Sequence, residues 1–223
     1  MGPHPGGGLE VRHLPRPDLH GQGPRRMIWL AAGFAAIYGL RHAGAAPSWA
    51  GSIAKTAATA LLALTALMAD APPLLIAGLA LGAAGDFALS RPGQAAFLAG
   101  MGAFAAGHLA YVALMWTPEG VGQIWPLGLA MLALAISTEF WLIPRAGELR
   151  WPVRVYVLII SLMALAALSL PPDQTLTRIG AGLFVLSDLL LAIHLFVAPR
   201  RLLALTLWPA YWGGQALILM GHL

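Results

Sequence analysis

The sequence predicts an all-α protein, a polytopic bundle of about eight transmembrane helices. Hydrophobic residues make up 59% of the 223 residues, charged residues make up 10%, and the mean hydropathy is +0.75. An ordinary soluble domain contains about a quarter charged residues. At about 20 residues per span, the chain can hold roughly eight spans and leaves little for a separate soluble domain.

Residues 1–26 differ in composition from the rest of the chain. They are rich in Gly, Pro, His and Arg and have no apolar periodicity. Such a segment cannot bury enough apolar surface to offset the entropy of ordering, so we predict a disordered tail. Residues 27–223 are then expected to form a single transmembrane helical domain, and deletion of the chain up to Met27 should leave folding intact.

Eight apolar segments come after the tail, separated by short stretches that contain Pro, Gly or Arg. Pro and Gly are typical of the loops between helices. Each segment predicts one transmembrane helix. The segments are 27–40, 48–69, 73–90, 95–116, 123–143, 151–170, 174–198 and 201–222. The first segment is short, and the alternative that its helix begins inside the tail stays open.

The chain has 13 Lys and Arg residues against 9 Asp and Glu, mostly in the tail and loops. Positive charges in these places are typical of a membrane protein, in which they set the orientation of the helices, so no nucleic-acid partner is expected. The loops after odd-numbered helices hold most of the loop arginines, which predicts that these loops are cytoplasmic, although four arginines in the tail favour the opposite orientation. The absence of Cys excludes disulfides, thiolate nucleophiles and Cys-based metal sites.

Two aspartates, Asp86 and Asp188, lie inside apolar segments of helix length. At a bilayer centre an acidic side chain costs at least about 2.5 to 3.5 kcal/mol, so it is retained mainly where it faces protein or a polar cavity. The two residues therefore indicate one buried acid/base pair.

Other polar residues are expected at similar depths in the membrane. Helices 3 and 7 run in the same direction and their neighbours run in the opposite one, so depth can be counted in residues from the odd-numbered loops. Counted from the odd-numbered loops, Lys55 and Tyr156 fall in the same half of the bundle as the two aspartates. This predicts a single polar cavity with a deeper floor. The residues expected at that floor are His108, Tyr211 and Gln215.

The spacing of these residues also suggests an internal repeat. Lys55 and Asp86 are 31 residues apart, and Tyr156 and Asp188 are 32 apart. The next polar residues, in helices 4 and 8, come 22 and 23 residues after the aspartates. We predict two parallel halves of four helices that meet around the aspartates.

Several short blocks occur in a fixed order between Lys55 and Ile218. They are residues 81–89; residues 97–101 with Phe104, His108 and Tyr111; residues 152–153 with Tyr156; residues 180–188 with Ala192 and Phe196; and Tyr211 with Gln215. This series resembles the YhhN-like membrane proteins, which include the lysoplasmalogenases. The sequence departs from the family pattern at Thr56 and Gly107, and neither change touches an acid or base.

The resemblance implies a hydrolase that cleaves the vinyl ether bond of lysoplasmalogens to a fatty aldehyde and a glycerophospho-alcohol. Its expected partners are a lysophospholipid with a vinyl ether chain and the surrounding membrane lipids, with no metal or organic cofactor. Its expected location is a cell membrane, the inner membrane of a bacterium. The candidate catalytic residues are Asp86 and Asp188, and the candidate substrate-binding residues are Lys55, His108, Tyr111, Tyr156, Ser187, Tyr211 and Gln215.

The chemistry of a vinyl ether suits such a pair of carboxyl groups. Hydrolysis begins with slow proton transfer from an acid to carbon, which creates an oxocarbenium ion. Burial in an apolar medium favours the neutral form of a carboxylic acid, while a second, ionised carboxylate can stabilise the cation and activate water. Glycoside hydrolases use paired carboxyl groups in a similar way.

Each candidate residue also has a structural interpretation. Lys55 either binds the substrate phosphate or neutralises an aspartate, and an Asp–Lys pair can also simply lock helices together. His108 is either a functional residue, which relays protons or contacts the headgroup, or a packed helix residue. The tyrosines and Gln215 either contact the substrate or form hydrogen bonds between helices. Glu139 is expected to reach the membrane interface, and His194, six residues after Asp188, should point away from it.

Other classes of membrane protein fit less well. The chain lacks the Tyr-Asp and Gly-x-Gly-Asp pair of intramembrane aspartyl proteases, the Gly-x-Ser-x-Gly motif of a serine protease and the His-Glu-x-x-His motif of zinc hydrolases. The alternative that stays open is a proton-coupled transporter or lipid-handling protein, since buried ionisable residues also serve proton relays.

Overall fold

The computed structural model describes residues 19–117 and 125–223, with side chains from residue 23 onward. The described chain is all-α, so the predicted fold class is confirmed. Two short 3₁₀ helices, Ile143–Arg145 and Gly147–Leu149, connect the fifth and sixth α-helices. The α-helices are α1 (Leu19–Arg41), α2 (Trp49–Met68), α3 (Pro73–Leu89), α4 (Gln94–Met115), α5 (Trp125–Trp141), α6 (Arg150–Ser169), α7 (Thr175–Phe196) and α8 (Arg201–Met220).

Helices α2 to α8 begin and end within about two residues of the predicted segments, but α1 does not. It begins at Leu19, so residues 19–26 of the predicted tail belong to a helix, which corrects the predicted boundary. Gly23 and Pro24 disfavour a helix, so the sequence does not indicate this first part of α1. Gly23 instead packs beside Met68 of α2. Residues 1–18 lie outside the described residues, and the predicted disorder of that part stays a prediction.

Six helical segments in the described residues are long and apolar enough to cross a membrane by length and composition. They are α2, α4, α5 extended by the first 3₁₀ helix (Trp125–Arg145), α6 extended by the second (Gly147–Ser169), α7 and α8. Helix α3 is apolar but has 17 residues, and α1 begins with polar residues. These six helices support an integral membrane protein. The number of eight spans and the cytoplasmic placement of the odd-numbered loops stay predictions.

Sequential helices pack as neighbours except α4 and α5, and α4 and α8 connect the two halves of the bundle by contacting α6 and α2. Two indole groups fix α8 to the first two helices. Trp208 Nε1 donates to the carbonyl oxygen of Ala35 at 2.9 Å, and Trp212 Nε1 donates to that of Ala58 at 3.1 Å. In an apolar interior these bonds satisfy donors that would otherwise be costly to bury. Helix α5 packs mainly on α6.

One face of α3 is lined with glycines on which large side chains lie directly. A Cβ atom at any of three positions would come within 2.7 Å of a side chain from α4 or α8. The pairs are Gly78 with Tyr111, Gly82 with Gln215, and Gly85 with Phe104. Small residues therefore let α3, which carries Asp86, approach its neighbours closely.

Helices α7 and α8 approach each other in the same way, which gives a test of the packing. A Cβ atom at Gly180 would lie 2.7 Å from the carbonyl oxygen of Gly214, whereas one at Gly182 would meet nothing within 4 Å. Gly180→Ala is expected to lower the free energy of unfolding by about 1–3 kcal/mol, as overpacking does. Gly182→Ala is the control and should cause little change. Equal effects on the thermal unfolding temperature in detergent would contradict the close α7–α8 contact.

Candidate active site

Asp86 lies on α3 with no solvent exposure, and both of its carboxylate oxygens have partners. Lys55 Nζ is 3.1 Å from Oδ1 in an ion pair, while the hydroxyls of Thr59 and Tyr211 donate to Oδ2 at 2.7 and 2.8 Å. Lys55 and Thr59 are four residues apart on α2 and so share a helix face. The charge of Asp86 is therefore matched by one cation and two fixed hydroxyl groups.

Asp188 lies on α7 and has neutral partners instead. Tyr156 OH donates to Oδ2 at 3.0 Å, and His108 Nε2 lies 2.9 Å from the same oxygen. The tyrosine hydroxyl and His108 Nε2 are themselves 3.1 Å apart, which closes a triangle. Oδ1 makes no hydrogen bond to any residue that the structure describes, and the side chain is 12% exposed. One oxygen is thus held in place and the other is accessible.

The surroundings of His108 determine which ring nitrogen carries its proton. His108 is fully buried, and its Nδ1 has no hydrogen-bond partner among the described residues. An imidazolium ion, or the Nδ1–H tautomer, would bury an unpaired N–H donor, which is costly. We therefore assign a neutral ring that donates from Nε2 to Asp188. Because Nδ1 has no acceptor, this arrangement favours a positioning role over a proton relay.

Each aspartate is bonded by residues from both halves of the bundle, the first four helices and the last four. Asp86 is bonded from α2 and α8, and Asp188 is bonded from α6 and α4. Each aspartate thus takes one partner from its own half and one from the other, as expected for halves related by a twofold axis. The internal repeat itself stays a prediction.

A polar cavity of about 270 Å³ has both aspartates in its wall. It extends to the loop between α1 and α2, at the end of the bundle where the odd-numbered loops lie. The depth counted along the sequence therefore placed these side chains beside one cavity. Its polar lining residues are Tyr38, His42, Lys55, Asp86, Ser187, Asp188, His194, Trp208 and Tyr211. The Ser187 hydroxyl also donates to the carbonyl oxygen of Phe184 at 2.7 Å.

A second cavity, of about 110 Å³, lies among α4, α5, α6 and α7 and is lined almost entirely by apolar side chains. Tyr156 and Asp188 are among its few polar lining residues. The polar and apolar cavities share part of their walls, and Asp188 is the one ionisable residue common to both. Asp188 therefore stands where a polar space meets an apolar one.

Three predicted substrate contacts, His108, Tyr111 and Gln215, do not line either cavity, so the expected cavity floor keeps only Tyr211. The Tyr111 hydroxyl donates to Gln215 Oε1, which joins α4 to α8 in the buried core. The interpretation of these two residues as a bond between helices fits this placement. Glu139 lies on the exterior, where Arg154 Nε and Nη2 bind its carboxylate at 2.8 to 3.1 Å.

His194 does not match the sequence expectation. It was expected to point away from Asp188, but it lines the same polar cavity. A helical wheel treats a site as one face of a helix, whereas this cavity continues past Asp188 towards the C-terminal end of α7.

In the described ranges 23–117 and 125–223, no three His, Asp or Glu side chains converge to hold a metal ion.

Thr59, which bonds Asp86 but does not line the cavity, and several residues of the cavity wall were not found from the sequence. Thr59 could have been found, because it lies one helical turn after Lys55 and faces the same way. Tyr38 and His42 lie at the end of α1, also one turn apart. Trp208 had no signal, because a tryptophan in an apolar helix is ordinary core.

The sequence model of the YhhN family matches residues 50–222. Two curated relatives, the lysoplasmalogenases of Mycobacterium bovis and Mycobacterium tuberculosis, are each 30% identical over 154 residues, which is 66% of this chain and 59% of the relative. The chain thus spans about three-fifths of the length of these relatives. No solved structure matches. Because the family match extends from α2 to α8, the chain belongs to the YhhN family.

Proposed function

We propose that the protein hydrolyses the vinyl ether bond of lysoplasmalogens, releasing a fatty aldehyde and a glycerophospho-alcohol. The observation that carries this proposal is the position of Asp188, which lines both the polar and the apolar cavity and has one carboxyl oxygen without a hydrogen-bond partner among the described residues. The name of the mycobacterial relatives supports the same reaction.

The two cavities suit the two ends of a lysoplasmalogen. Its glycerol and headgroup are polar and fit the cavity that contains Lys55, Ser187 and both aspartates. Its alkenyl chain is apolar and fits the cavity among α4 to α7. The vinyl ether joins these two parts of the molecule, so a lipid bound across both cavities has its reacting bond beside Asp188.

Asp188 is assigned as the proton donor because of charge balance. Asp86 has a cation at 3.1 Å, so the Asp86–Lys55 pair is neutral as it stands. Asp188 has neutral partners, and a second buried carboxylate would be an uncompensated charge. Since His108 and Tyr156 both donate to Oδ2, the exchangeable proton belongs on Oδ1, the oxygen that faces the substrate.

The reaction then proceeds in two stages. Oδ1 gives its proton to the alkene carbon that is not bonded to oxygen. The π electrons of the C=C bond form the new C–H bond, the carbons stay joined by a single bond, and the other carbon becomes part of an oxocarbenium ion. The Asp86 carboxylate, held in the wall of the same cavity, stabilises this cation. Asp188, now ionised, takes a proton from the water that attacks the cation. The resulting hemiacetal breaks its bond to the glycerol oxygen, which gains a proton as the aldehyde forms.

The test uses the purified full chain in detergent with a lysoplasmenyl lipid. We expect aldehyde from this lipid and none from the saturated 1-O-alkyl analogue, which has no alkene to protonate. In deuterated water the reaction should slow markedly and place deuterium on the carbon next to the aldehyde. Aldehyde without that label would contradict proton transfer to carbon. Absence of aldehyde, with activity confined to a sealed, pH-biased bilayer, would favour the transporter alternative.

A further inference from the structure

We propose that His42 and His194 bind the phosphate group of a lysophospholipid at the mouth of the polar cavity. Both residues line this cavity together with the two aspartates. The identity of the ligand as a lipid rests on the proposed function. Neither histidine was among the predicted site residues, and His42 lies outside the segment that matches the family.

Lys55, the obvious cation for a phosphate, is already engaged. Its Nζ contacts Asp86 at 3.1 Å, and its side chain is 14% exposed. If Lys55 moved to a phosphate, the fully buried Asp86 would lose its one cation, and an uncompensated buried charge is strongly destabilising. A phosphate in the polar cavity therefore needs other donors.

His42 comes directly after the last residue of α1 and is placed to supply one of them. Neither of its ring nitrogens hydrogen-bonds to another residue in the described part of the chain. Its ring lies 6.3 Å from that of Tyr38, which lines the same cavity. The imidazole is half-buried, with the edge that carries Nδ1 packed beside Gly51, and it can still form a hydrogen bond to a ligand.

His194 is anchored on one side and available on the other. Its Nδ1 lies 3.2 Å from the backbone nitrogen of Arg200 and 3.1 Å from the carbonyl oxygen of the same residue. The ring can accept at Nδ1 when neutral or donate there when protonated, so either form has a backbone partner. In both forms Nε2 carries a proton that can be donated to an anion. His108, by contrast, has no partner for a second N–H among the described residues.

The order of groups along the cavity matches the order of groups in a lysophospholipid. The two histidines lie at the loop end, where the Arg201 side chain also packs beside Gly44 of the cavity wall. Asp188 lies deeper, and the apolar cavity begins there. A phosphate at the mouth would thus place the glycerol between the histidines and Asp188, with the chain beyond.

The experiment measures equilibrium binding of two uncleavable lipids to the purified full chain in detergent. One is a saturated 1-O-alkyl lysophospholipid, and the other is the phosphate-free 1-O-alkylglycerol. His42→Phe and His194→Phe, which remove the N–H donor and keep an aromatic ring, are each expected to raise the Kd of the phospholipid about tenfold, the effect of losing one hydrogen bond to a charged group, and to leave the Kd of the alkylglycerol unchanged. His222→Phe is the matched control and should change neither Kd, because the His222 ring bonds the carbonyl oxygen of Ile218 outside the cavity.

Equal weakening of both lipids, or no weakening of the phospholipid, would overturn the proposal. Inorganic phosphate that protects the wild type against thermal unfolding as well as the phospholipid does would overturn the assignment to a lipid headgroup. Binding is measured without turnover, so its outcome is separate from that of the hydrolysis test. Histidine-dependent phospholipid binding in a protein that releases no aldehyde would support the phosphate site and reject the proposed reaction.

Discussion

Asp188→Asn is expected to lower kcat for vinyl ether hydrolysis by at least about 100-fold while the bundle stays folded. Asparagine preserves the shape of the side chain, but it has no proton acidic enough to transfer to carbon. Oδ1 of Asp188 has no protein partner among the described residues, so the substitution should disturb few contacts at that atom. Aldehyde release under single-turnover conditions is the appropriate measurement.

Two variants make this result interpretable. Asp173→Asn changes an aspartate in the exposed loop before α7 and should leave kcat unchanged. Asp86→Asn should also lower kcat at least about 100-fold, because it removes the charge assigned to stabilise the cation. Near-normal hydrolysis by Asp188→Asn, with an unchanged unfolding temperature, would show that Asp188 is not the acid.

Lys55→Met is expected to destabilise the protein by about 3–5 kcal/mol, because it leaves Asp86 charged and buried without its cation. The double variant Lys55→Met with Asp86→Asn should recover much of this loss, since the carboxylate that needs the cation is gone. It should not recover hydrolysis. In the double variant the free energy of unfolding should therefore recover while kcat stays low.

The exposed ion pair of Arg154 and Glu139 provides the comparison for this cycle. Arg154→Met, like Lys55→Met, removes a cation from an ion pair, but this pair is not buried, so the unfolding temperature should change little. A Lys55→Met protein as stable as the wild type would mean that the buried ion pair does not hold α2 to α3. If the double variant is no more stable than Lys55→Met alone, the loss comes from packing and not from charge.

The helices were predictable because a membrane span depends on length and apolar composition, which the sequence shows directly. Seven of the eight described helices agree with the predicted segments within about two residues. The sequence left the start of α1 open because Gly23 and Pro24 disfavour helix, and contact with α2 is a tertiary effect that local composition does not reveal.

The site was predictable in depth but not in detail. Counting residues from the loops placed Lys55, Asp86 and Asp188 beside one cavity, since a helix rises by a fixed distance per residue. The sequence could not choose between two roles for Lys55, because that choice depends on a distance across two helices. It also could not find His42, whose place in the cavity wall depends on how the end of α1 packs against the bundle.

The meeting of a polar and an apolar cavity at Asp188 has a consequence for the fate of the products. Under the proposed reaction the two products differ sharply in solubility. The aldehyde can leave among α4 to α7 into the lipid phase, and the glycerophospho-alcohol can leave past His42 and His194 into water. Recombination would require both molecules to return to the same site from different phases, so their separation would pull the reaction towards cleavage without any input of energy.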